Sequence, residues 1–162
     1  MHMHLMQVHY AVAAMTPELT DEALDAWRAF LTAHARVTRR ISRDLTAEDL
    51  PDLGWYDLLW ALRRSPQARL RVNELAREVV LSPTAMSRFV DRAVAAGVVA
   101  REPDPHDRRA QLVVLTDAGR ALLRRMWPVY RRGIEEHFAA QLDVDPPDLT
   151  ATLRRIADSA GA

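Results

Sequence analysis

The sequence predicts a mainly α-helical chain with one small β-hairpin, a winged helix-turn-helix domain joined to a helical dimerisation lobe. Three observations predict it. Apolar residues at alternating spacings of three and four run through residues 21–46, a Ser-Pro pair opens a short helix that Gly97 closes, and two β-prone segments flank a turn-forming run at residues 103–109.

Residues 1–15 read as an N-terminal extension, and Met1-His2-Met3-His4 as a loose tail rather than a metal ligand set. Thr20 reads as a helix N-cap, with Asp21 and Glu22 placing negative charge on the first turn. Leu24, Trp27, Leu31, His34, Thr38, Ile41 and Leu45 then make a heptad seam. A small domain cannot bury a stripe of that length, so a partner helix is expected on it. Leu50-Pro51-Asp52-Leu53-Gly54 breaks the helix, and residues 55–62 form a short apolar one. A second short helix spans residues 72–80. A third starts with Ser82 as N-cap and Pro83 at its first position, and Gly97 stands where a left-handed cap belongs. Residues 98–102 and 110–115 form the hairpin, with Asp107-Arg108-Arg109 at its tip. Thr116 caps a long helix reaching to about Leu142, where Pro128 is expected to put a kink. Asp145-Pro146-Pro147 opens the last helix, with Leu149, Leu153, Ile156 and Ala160 on one face.

Composition narrows the function classes. All 22 basic residues are Arg, balanced by 22 acidic ones. A neutral chain does not coat nucleic acid indiscriminately, but it can gather guanidinium groups, which suit phosphate and base edges, on one face. Cys is absent, so disulfides and thiolate chemistry are excluded. No apolar run approaches the ~18 residues of a membrane span, and no secretory leader is visible, so a cytoplasmic location is expected. No cofactor is implied. The 5 Gly leave little material for a nucleotide loop, and the six His are scattered, with no Ser/His/Asp order or paired-His motif, so an enzyme is not expected.

The helix pair and hairpin carry the chemistry. Leu75, Ala76, Val79 and Leu81 enclose the turn, while Met86, Phe89, Val90, Ala93 and Val94 line one side of the second helix. Its other side offers Thr84, Ser87, Arg88 and Asp91, hydrogen-bonding groups near a helix N-terminus suited to double-stranded DNA. Asp107 is expected to pair with one of Arg108 and Arg109 and hold the tip. The other, with Arg109 favoured, enters a narrow minor groove.

Several stretches resemble the MarR family of bacterial transcription regulators. Leu70-Arg71-Val72-Asn73-Glu74-Leu75-Ala76 is similar to the start of its helix pair, and Ser82-Pro83-Thr84-Ala85-Met86-Ser87-Arg88 to its recognition helix. Asp104-Pro105-His106-Asp107-Arg108-Arg109, followed by Val113-Val114-Leu115-Thr116-Asp117-Ala118-Gly119-Arg120, resembles its wing. Val80 departs from the family, which often has Gly there. A β-branched residue resists positive φ, so a different turn is expected.

The resemblance implies one unit over residues 16–162. Residues 20–50 and 120–162 supply dimerisation helices, and 55–118 the DNA-binding lobe. It also implies a homodimer and repression relieved by a small aromatic or phenolic ligand. Two stripes on the helix after the hairpin, Leu122, Met126 and Val129 against Leu123, Trp127, Tyr130, Ile134 and Phe138, agree with burial on two sides. Trp27, His34, Trp55, Tyr56, Asp57 and Arg92 are candidate ligand-pocket residues, with Phe30 and Trp60 nearby in the chain. Two alternatives stand beside this reading: a metal-responsive regulator using His34 and His137, and a constitutive repressor without inducer.

Overall fold

The protein is described over residues 19–160 by a computed structural model, in which the side chains of Arg108 and Arg109 also lie outside the described parts. The expected extension at residues 1–15, with its Met-His tail, lies outside the described residues. The described chain falls into two compact units, one ending at Ala35 and the other beginning at Arg36.

Helix α1 (Asp21–Ala47) begins where the Thr20 hydroxyl accepts from the Ala23 N–H at 3.2 Å, as its N-cap reading requires. Within the first unit Trp27, Phe30 and Leu31 are exposed, 53 % in the case of Trp27. Within the second unit Ile41 and Leu45 are buried. The heptad seam is therefore buried only at its C-terminal end.

The second unit is built around α2 (Leu53–Arg64). Asp52 caps it through the Gly54 N–H (3.0 Å), and the Ser65 hydroxyl closes it on the Leu62 carbonyl (2.7 Å). Leu58, Leu59 and Leu62 are fully buried, and α2 packs on α3 (Val72–Glu78), α5 (Asp117–His137) and the sheet. Each such leucine contributes about 1.5–3 kcal/mol relative to an exposed one. The remaining core is Leu75, Met86, Val90, Val113, Met126 and their neighbours. The last helix, α6 (Pro146–Ala160), has no buried residue.

The sheet has three strands, not the two the sequence suggests. Strand β1 (Arg69–Arg71) is the addition, too short for alternation to show. The order is β1-β3-β2, all antiparallel, with β2 (Val99–Asp104) and β3 (Asp107–Leu115) forming the hairpin. Registers Leu70 to Val113 and Val99 to Leu115 put an apolar face on the core. The opposite face carries Arg69, Arg71, Glu102 and Asp104.

Other expectations need correction. Helix α5 ends at His137 rather than near Leu142, because Phe138 leaves helical geometry (φ −127°, ψ −65°). Its buried residues are Gly119, Leu123, Met126, Val129 and Gly133, one face drawn from both expected stripes, while Trp127 and Phe138 are exposed. Val94 is 37 % exposed rather than a core residue, since Phe89, Val90 and Ala93 already fill that side of α4 (Pro83–Ala95).

The turn between α3 and α4 overturns the expectation for Val80. Leu81 N–H donates to the Ala76 carbonyl (2.8 Å) and Val80 N–H to Arg77 (3.3 Å). That is a Schellman closure, and it forces the residue between into the left-handed region. Val80 sits there, at φ +55°, despite its β-branch. Helix α4 ends the same way, with Val98 bonded to Ala93 and Gly97 to Val94, and there the left-handed residue is Gly97 at φ +73°. Helix α1 repeats it at Asp49, φ +54°. The left-handed turn that Gly would favour is thus made here with strain at Val80.

Val80 is 88 % exposed, so little packing compensates. Strain of this kind costs on the order of 1–3 kcal/mol, and Gly costs about 0.5–1 kcal/mol in folding entropy. Val80→Gly is expected to raise stability by roughly 1 kcal/mol. The check is a higher urea midpoint at unchanged slope.

Candidate nucleic-acid interface

Helix α4 is fixed at its start by Ser82, whose hydroxyl accepts from the Ala85 N–H at 3.2 Å, with Pro83 at the first position. Met86, Phe89, Val90 and Ala93 are buried at helical spacing, which sets its inner side. Thr84, Arg88 and Asp91 are therefore exposed and Ser87 is half-buried, as the sequence indicates. Near the N-terminus, free backbone N–H groups add to this polar edge and favour anions. Asp91 is bonded to Arg101 of β2 at 2.7 Å, tying α4 to the hairpin.

The hairpin reverses at Pro105-His106, between the paired residues Asp104 and Asp107. The sequence placed the tip one step later, on Asp107-Arg108-Arg109. Those residues instead begin β3. The reversal is early because the Asp104 carboxylate accepts from the His106 N–H (2.8 Å), closing a local turn, with Pro105 between them. Asp107 is exposed.

Two residues of consequence were missed by the sequence reading. Asp104 is buried, and its Oδ2 accepts from Arg71 Nε (2.8 Å) and Nη2 (2.6 Å). The His106 N–H and then Arg71 hold its carboxyl below the ordinary value. Arg69 and Glu102 make a parallel, more exposed pair at 3.5 Å. The available signal was charge at period two, Arg69 and Arg71 against Glu102 and Asp104.

The candidate ligand residues separate into groups. In the first unit Trp27, Phe30 and His34 stack in sequence at 6.0 and 6.5 Å. In the second, Trp55 meets Phe89 edge-on at 5.4 Å, and the Arg92 guanidinium lies 4.9 Å from the centre of the same ring. Tyr56 belongs to a different cluster, stacked on Trp60 (6.0 Å) and Trp127 (6.3 Å) and edge-on to Tyr130 (4.6 Å). Burial raises the pKa of both tyrosines. Asp57 lines an open cleft of about 290 Å³ with Trp60, Ala61, Arg64, Glu78, Val79 and Val80. Desolvation, then the Asp52 charge, raises its pKa.

Known proteins place this geometry. The MarR family model matches residues 48–110, from just after α1 through the helix pair into β3. A MarR family transcriptional regulator from Streptomyces coelicolor, Sco3205, solved in complex with DNA, is 30 % identical, with TM-score 0.78 over 88 % of this chain and 89 % of that one. AbsC, another MarR family transcriptional regulator from S. coelicolor, is 31 % identical, with TM-score 0.76 over 88 % and 96 %. This chain belongs to the MarR family. The transcriptional activatory protein BadR of Rhodopseudomonas palustris is 33 % identical over 69 % of this chain and 63 % of its own. As a MarR family member the chain is a DNA-binding transcription regulator and not an enzyme. The matched residues take in α2, the helix pair and β2, and end part-way along β3. Among the described residues no group of three or more His, Asp or Glu could hold a metal ion, and no helix is long and apolar enough to cross a membrane.

Asp91 and Arg101 have side chains 65 % and 25 % exposed, so their pair is a weak brace. A double-mutant cycle with Asp91→Ala and Arg101→Ala is expected to give a coupling of about 0.2–1 kcal/mol in thermal or denaturant unfolding.

Proposed function

We propose that this regulator binds a pseudo-palindromic operator as a homodimer, represses from it, and is released by a small aromatic or phenolic ligand. One observation carries the DNA-reading assignment: α4 buries Met86, Phe89, Val90 and Ala93 and leaves Thr84, Ser87 and Arg88 on the opposite, solvent-facing edge. Two such helices would enter successive major grooves roughly 34 Å apart. Ser87 and Arg88 contact base edges, Thr84 a base or phosphate. Asp107 holds Arg108, and Arg109 reads the minor groove.

Unpartnered apolar surface supports the homodimer. Trp27, Phe30 and Leu31 of α1 and Ile156 of α6 are exposed, and no residue of α6 is fully buried in the described chain. We assign residues 20–50 and 120–162 to dimerisation, 55–118 to DNA binding, and the protein to the cytoplasm. The Tyr56, Trp60, Trp127 and Tyr130 cluster supports an aromatic ligand, because Trp60 and Trp127 remain 41 % and 46 % exposed at its edge. Trp27, His34, Trp55, Asp57 and Arg92 remain candidates for the same response.

Gel shifts on the DNA flanking its own gene test the reading. Arg88→Ala and Arg109→Ala are each expected to lose on the order of 1–3 kcal/mol of operator affinity, roughly 5- to 150-fold. Full affinity in both variants at moderate salt would refute the assigned edge. A panel of aromatic acids and phenols is expected to contain a compound that lowers operator affinity. A panel without one supports constitutive repression instead.

A further inference from the structure

We propose that Asp104, acting through Arg71, is a positioning residue that presets the wing tip for DNA before DNA arrives. The proposal rests on the DNA-reading assignment above and adds a residue that touches neither base nor phosphate.

Asp104 is the one charged residue buried among the described residues, at 6 % exposure. A carboxylate withdrawn from water is costly unless its oxygens are satisfied. Here both are. Oδ1 accepts from the His106 N–H at 2.8 Å, and Oδ2 accepts from Nε and Nη2 of Arg71 at 2.8 and 2.6 Å. Stability alone does not require this, since apolar groups of similar volume commonly do as well. What the charge adds is direction, because a guanidinium fork and a turn amide fix the carboxylate in one orientation.

Arg71 is a joint between three elements. It pairs with Leu112 in the sheet, and its N–H donates to Glu74 Oε2 at 2.8 Å in the first turn of α3. Its side chain crosses to Asp104 at the end of β2. The first helix of the DNA-reading pair is thereby strapped to the hairpin reversal. Arg108 and Arg109 follow that reversal within five residues of Asp104. The strap thus fixes, before DNA is met, the stretch of β3 backbone from which both leave. Ordering a side chain only on binding weakens affinity by about two- to twelvefold, so prior order of this segment is worth roughly a factor of ten.

The carboxyl is held below its ordinary value, so the strap stays charged through neutral pH. It is fully present above the ordinary carboxylate range and is lost only as pH falls through the lowered value.

Asp104→Asn in the full chain is the test. The amide oxygen still accepts from His106, while the charged bond to Arg71 is lost. On the operator, affinity is expected to fall roughly tenfold at an unchanged salt slope, because no phosphate contact is removed. Hydroxyl-radical footprints are expected to lose the minor-groove protection, with methylation protection of major-groove guanines retained. Arg71→Leu is expected to give the same pattern, and the double variant no further loss. Unchanged affinity and footprint in Asp104→Asn would overturn the proposal. So would loss of both groove protections in step with a fall in melting temperature, which marks a merely structural role. If the unaltered protein showed no operator footprint, the DNA-reading assignment would fail first and take this one with it.

Discussion

Burial of α2 is the constraint on which the second unit depends. Leu58, Leu59 and Leu62 show no surface, and around them gather α3, α5, β1 and β3. A helix surrounded in this way admits few arrangements of its neighbours, because the interior tolerates neither voids nor overlap. Two glycines of α5 show how tight the fit is. A methyl group on Gly133 would overlap Ile41 of α1, and one on Gly119 would strike the backbone carbonyl of Val98. The helix pair and the hairpin are thus held by packing that has no direct part in DNA contact.

On this base the sheet divides its labour by face. Leu70, Val99, Val113 and Leu115 look inward and secure the strands. Arg69, Arg71, Glu102 and Asp104 look the other way and join β1 to β2 across the central strand. Dispersion and hydrophobic burial give stability without direction, while the ionic face gives direction at little net gain. A hairpin held to the core in one orientation needs both.

Much of this was legible in the sequence. The caps at Thr20, Ser82 and Thr116 and the left-handed Gly97 are local devices that declare themselves within four residues. So did the buried side of α4, whose spacing left Thr84 and Arg88 outside. What escaped was non-local. Strand β1 exists because β3 offers it an edge, and three residues carry no period of their own. The position of the hairpin turn depended on a side chain, Asp104, satisfied from 33 residues away. The two stripes on α5 were misdivided because the choice between Leu122 and Leu123 lies with the neighbouring helix. Val80 misled for a different reason. The propensity argument was sound for one residue, but two closing hydrogen bonds outweighed it.

Strand β3 has a mechanical consequence of its own. It begins at the hairpin reversal with Asp107 and runs without interruption to Leu115, and α5 starts two residues further on. The residue between is Thr116, whose hydroxyl donates to the Gly97 carbonyl (2.8 Å) and accepts from the Gly119 N–H (3.1 Å). The end of α4, the end of β3 and the beginning of α5 therefore meet at a single oxygen. A displacement of the hairpin reversal is therefore carried along β3 to the start of α5, where Thr116 joins the strand to both helices.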